Sequence, residues 1–84
     1  MNFQRGTVVR SKAGHDKGSF FVVLETDGDT ALISDGSSRP VSAPKRKKLR
    51  HLAFTRTVLC EQSLKDNSKI CEAIETFRKK AAAF

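Results

Sequence analysis

Residues 20–34 read Phe20-Phe21-Val22-Val23-Leu24-Glu25-Thr26-Asp27-Gly28-Asp29-Thr30-Ala31-Leu32-Ile33-Ser34. Phe20–Leu24 is an apolar run of strand length, too short for a helix. Asp27-Gly28-Asp29 supplies a hairpin turn, because glycine tolerates the positive φ that tight hairpins require. Thr30–Ser34 then returns as a second strand. This hairpin sets the class of the whole chain, and its neighbours extend it in both directions. On the N-terminal side, Thr7-Val8-Val9-Arg10-Ser11 is β-branched and closed by the loop Lys12-Ala13-Gly14-His15-Asp16-Lys17-Gly18. On the C-terminal side, Asp35-Gly36 marks another tight turn, and Arg39-Pro40-Val41-Ser42 reads as a short fourth strand. Pro40 has no amide hydrogen for a ladder, so that strand is expected at an edge. Thr55-Arg56-Thr57-Val58-Leu59 alternates and reads as a fifth strand. Five short strands at this spacing predict a small closed or partly closed barrel, which removes exposed edges.

The period changes near the C-terminus. Ile70, Ile74, Phe77 and Ala81 recur at helical spacing and form one amphipathic stripe. Asp66, Asn67 and Ser68 are good N-cap residues, and Lys79-Lys80 suit the negative end of the helix dipole. The helix is expected at about 68–81, with Glu75 and Lys79 as an i,i+4 pair and with Ile74 and Phe77 against the barrel. Phe20, Phe21 and Cys71 are read as core. The chain is thus expected to be one domain over residues 1–84, mainly β, with the barrel at about 5–60.

Charge is concentrated in one region. The net charge is +7, from 16 Lys and Arg against 9 Asp and Glu. Between Gly36 and Cys60 lie Arg39, Lys45, Arg46, Lys47, Lys48, Arg50 and Arg56, with no acidic residue among them. The rest of the chain is close to neutral, so this stretch carries the whole excess. Such a patch attracts polyanions, since each phosphate it neutralises releases condensed counterions. Leu49, Leu52 and Phe54 interrupt the charges and suggest a segment docked on the domain. Gly14 and Gly18 would let a backbone approach a phosphate closely, with Lys12, His15 and Lys17 around it; a tight connection between two strands also explains both glycines. Asp16 is expected to cap the turn through its own side chain. His51, beside Arg50, is equally consistent with a phosphate or base contact and with a structural role.

Other classes find little support. The 84 residues contain no apolar run near the roughly 18–20 needed to span a bilayer, and MNFQRGTVV is not a signal peptide. Cys60 and Cys71 make no disulfide framework, so a reduced, cytoplasmic protein is the default expectation. His15, His51, Cys60 and Cys71 lack paired spacing for a metal site, and no cofactor-binding motif is present. Pro44-Lys45-Arg46-Lys47-Lys48 has the composition of a nuclear import peptide, but it sits inside the apparent domain. No enzyme is expected. With neither Tyr nor Trp, grooves for proline-rich peptides and cages for methylated lysine are disfavoured.

Gly6-Thr7-Val8-Val9 through Gly18-Ser19-Phe20-Phe21-Val22-Val23 resembles a KOW motif, and Ala13-Gly14-His15-Asp16-Lys17-Gly18 is similar to the A-G-x-D-K-G loop of that family. Asp35–Val41 and Pro44–Leu52 resemble small bacterial KOW-domain proteins related to archaeal and eukaryotic-type large-subunit ribosomal proteins. The resemblance covers roughly residues 5–54. It implies an SH3-like barrel and RNA binding, usually in the ribosome. The expected partner is therefore RNA, ribosomal RNA above all, bound by Lys12, Gly14, His15, Lys17, Gly18, Arg39, Lys45, Arg46, Lys47, Lys48, Arg50 and His51. The basic run Lys45–Lys48 with Arg50 would carry most of the electrostatics, with Lys12, Lys17 and Arg39 at its rim. The alternative is a protein-interaction adaptor that meets ribosomal or transcription proteins. No membrane partner is expected, and a monomer is the default.

Overall fold

The computed structural model describes the backbone of residues 4–82 and the side chains of residues 4–80. The strands are β1 (Thr7–Ser11), β2 (Phe20–Asp27), β3 (Thr30–Ser34), β4 (Lys45–Lys48) and β5 (Leu52–Val58). They form one antiparallel sheet in the order β4-β3-β2-β1-β5. A single 3-10 turn, Leu49–His51, joins β4 to β5, and two helices follow, α1 (Glu61–Leu64) and α2 (Asn67–Ala82). The protein is mainly β with a C-terminal helix.

The short link between β4 and β5 dictates curvature. These strands occupy opposite edges, which in a flat sheet would lie roughly 19 Å apart at about 4.8 Å per strand. Lys48 and Leu52 are four residues apart, a reach of about 14 Å at most. The sheet must therefore curl until its edges approach, and the result is barrel-like. Register shifts between Thr7 and Val9 on β1 and between Val23 and Glu25 on β2 help it bend.

Curling gives β2 two apolar sides. Val9, Phe21, Val23, Ala31, Ile33 and Leu52 pack together on one face. Val8, Val22 and Leu24 pack on the other, against Leu64, Ile70 and Ile74 of the helices. A strand covered on both faces needs a continuous apolar run instead of alternation, which is what residues 21–24 provide. Phe77 meets Phe20 edge-on, with ring centroids 5.1 Å apart, so the expected helical stripe does face the sheet. The Ala81 side chain lies outside the described residues. Asp66 is the N-cap, accepting the Ser68 amide at 2.9 Å. Asn67 does something else: its Oδ1 accepts the Val41 amide at 2.8 Å and ties the preceding loop to α2. Gly36 lies flat against that junction at φ +75°, where a Cβ would collide with the Asn67 carbonyl.

Three expectations are corrected. Residues 39–42 are not a strand; the Ala43 amide donates to the Pro40 carbonyl at 3.0 Å and closes a turn. The fourth strand is the basic run itself, paired with β3 through Thr30↔Lys48, Ala31↔Lys47, Leu32↔Arg46 and Ile33↔Lys45. β4 lies at an edge of the sheet, where lysines discourage pairing with other chains. The fifth strand starts at Leu52, which carries Phe54 into the sheet. Cys71 is half-buried, not fully enclosed, and its thiol donates to the Asp35 carbonyl at 3.4 Å.

Candidate nucleic-acid interface

The loop of residues 12–18 is held by its own backbone. The Gly18 amide donates to the Ser11 carbonyl (2.8 Å), Ser19 to Asp16 (2.9 Å) and Lys17 to Gly14 (3.2 Å). Gly14 and Gly18 sit at φ +85° and +90°, a region that side-chain-bearing residues avoid. Around Gly18 an added Cβ would meet nothing, so the requirement there is conformational. The tight connection thus accounts for both glycines without a ligand.

Asp16 is central to the loop, though not as a turn cap. Its Oδ2 accepts from Lys45 Nζ at 2.7 Å and its Oδ1 from Lys47 Nζ at 2.7 Å. The buried Ser11 hydroxyl lies 2.8 Å from the same Oδ1, and Lys47 Nζ also donates to the Ala13 carbonyl at 2.7 Å. Burial alone would push the Asp16 carboxyl up. The hydrogen bonds from Lys45, Lys47 and Ser11, with the positive charge of Lys45, outweigh it and hold the group well below the usual carboxylate range.

Strand geometry divides the basic run. Successive side chains of β4 point to opposite faces. Lys45 and Lys47 turn toward Asp16, and Lys47 is only 8% exposed. Arg46 and Lys48 turn the other way and are exposed; the Arg46 guanidinium donates to Thr30 Oγ1 at 3.0 Å. Arg46 shares a shallow groove with Glu25, Thr26, Asp27 and Leu32, so two carboxylates temper its field. The tetrapeptide therefore does not form a single cationic patch.

The remaining predicted residues fall into two groups. Lys12, Gly14, His15, Lys17 and Gly18 are exposed on the loop. The Lys12 amide donates to the His51 carbonyl at 2.7 Å, which brings the loop beside the 3-10 turn carrying exposed Arg50 and half-buried His51. Arg39 is exposed on a separate loop, organised by Asp35. The Asp35 Oδ1 accepts the Ser37 and Arg39 amides at 2.8 and 2.9 Å, and Oδ2 accepts the Ser38 hydroxyl at 2.9 Å. Burial raises the Asp35 carboxyl, and these three donors more than reverse the effect. Sequence reasoning missed the roles of Ser11 and of the Ala13 carbonyl. A lone acid within a basic loop is the one sequence signal that points toward them.

Among the described residues, no three His, Cys, Asp or Glu side chains converge in a way that would hold a metal ion. No helix of the described residues is long and apolar enough to cross a membrane. No profile of a known protein family matches the chain, and no curated protein matches it.

Proposed function

We propose that this chain is a non-enzymatic RNA-binding module, a relative of the KOW-motif proteins with an SH3-like barrel, which docks on ribosomal RNA in the cytoplasm. The observation that carries this reading is the backbone bond between Lys12 and His51. It brings the loop that carries Lys12 and Lys17 beside the turn that carries Arg50, and that turn belongs to residues 36–60, the source of the whole charge excess. The arrangement suits RNA whose A-form shape is read through phosphates and 2′-hydroxyls, without a recognition helix. Exposed Lys48 adjoins that turn in sequence and adds to its charge. Titration of purified protein with ribosomal RNA tests the reading. If about four phosphates are engaged, log affinity falls against log salt with a slope of about −3.5. A protein that ignores ribosomal RNA at low ionic strength is not an RNA-binding module.

A second reading, a protein-interaction adaptor, draws support from one feature. Val58 is 43% exposed, and a groove in which Leu59, Ala73 and Phe77 are flanked by Lys69, Glu72 and Lys80 runs between the end of β5 and α2. Partner binding that survives high salt and nuclease treatment would favour it.

A further inference from the structure

We infer that Asp16 is an internal counter-ion that withdraws Lys45 and Lys47 from RNA and so limits the number of phosphates the protein engages. The inference rests on the RNA-binding reading and concerns how selective that binding is. Each oxygen of the carboxylate takes one ammonium at 2.7 Å, as the two free oxygens of a backbone phosphate would. The place a phosphate would occupy between these lysines is filled from within the chain.

Burial argues against a purely stabilising role. Lys47 is 8% and Asp16 15% exposed, and desolvating charges costs about as much as their attraction returns. An apolar side chain at position 47 would fill the same space without that cost. The ionic version supplies two things an apolar one does not: it fixes the 12–18 loop to β4, and it cancels charge in the most cationic segment of the chain. Sequence-independent affinity grows with every free cation. Holding two of them on an internal carboxylate lowers attachment to any polyanion, while Lys12, Lys17 and Arg50 remain for RNA that fits their spacing. Lys45, at 27% exposed, sits at the mouth of the cluster and is the cation that Asp16 most directly controls.

The test is a salt titration of a fixed RNA hairpin between 50 and 200 mM KCl, comparing the parent protein with Asp16→Asn, Glu72→Gln, Arg50→Ala and Lys45→Ala. Glu72→Gln removes an exposed acid of α2 without freeing a cation of β4 and controls for net charge. Asp16→Asn is expected to steepen the slope by about 0.9, so that the affinity ratio between the two salts grows about 3.5-fold beyond that of Glu72→Gln. Lys45→Ala should leave the parent slope unchanged yet abolish the gain in the Asp16→Asn background. Arg50→Ala should flatten the parent slope by about 0.9. If Lys45→Ala flattens the parent slope as Arg50→Ala does, Lys45 already contacts phosphate and the counter-ion role is wrong. An Asp16→Asn slope no steeper than that of Glu72→Gln also overturns it. Should Asp16→Asn fail to fold, Lys45→Ala on the parent decides the matter alone. A parent that does not bind the hairpin at 50 mM overturns the RNA-binding reading together with this one, whereas a binding parent with a Lys45 contact overturns only the counter-ion.

Discussion

Two aspartates organise two loops of this protein by different means. Asp35 holds the backbone amides of Ser37 and Arg39 and the Ser38 hydroxyl, all within four residues of itself. Asp16 holds the ammonium groups of Lys45 and Lys47, which lie 29 and 31 residues further along the chain. The Asp35 loop can take its shape wherever its own segment is placed. The Asp16 loop has local backbone bonds too, but it is fastened to the rest of the sheet only when β4 has paired with β3 and turned alternate lysines inward. One carboxylate shapes a segment; the other joins two segments and decides which cations reach solvent.

The largest expected difference between the two lies in stability. Asp16→Ala leaves the buried Lys47 ammonium with only the Ala13 carbonyl, and breaking a buried pair in this way costs about 3–5 kcal/mol. A urea denaturation midpoint measures the loss, and a cost below about 1 kcal/mol would mean that the cluster is as weak as a surface pair. Asp35→Ala removes local bonds from a partly exposed turn and should cost about 1–2 kcal/mol, with no change in the salt dependence of RNA binding. A matching loss at both positions would erase the distinction.

Acid sharpens the comparison by a smaller amount. Both carboxyls are lowered in the folded protein, so each contributes stability that is complete above the unfolded carboxylate range and is lost progressively as pH falls from there through the lower folded value. Between pH 6 and pH 3 the unfolded chain takes up a proton at Asp16 that the folded protein refuses, so stability falls across that window. Asp16→Asn should remove that part of the acid dependence, measured as the change in urea midpoint with pH. Retention of the full dependence would show that Asp16 titrates normally.

How much was legible follows the same division. β1, β2, β3 and the main helix were plain because their signals are local: β-branched or apolar runs, a glycine at a turn, a repeat of 3.6. β4 was not, since four consecutive basic residues have weak strand preference and pair only because Leu32 and its neighbours offer a ladder. Lys12 and Lys17, singled out from the glycine loop, and Arg50, singled out from the charge count, are all exposed. Lys47 was misjudged as a surface cation by the same count, because counting does not register the direction in which a side chain points. His51, read two ways, contributes its backbone carbonyl to the loop through Lys12, a role no side-chain argument could reveal.

Composition and short-range periodicity were enough to establish the class of fold, the helix and the region that holds the excess charge, since these depend on neighbours a few residues away. The division of that charge into two lysines that share one carboxylate and an exposed remainder needed strands distant in sequence to be side by side. The reason is the reach of the forces involved: an ammonium group is cancelled by whichever carboxylate lies within about 3 Å, and folding alone chooses which one that is.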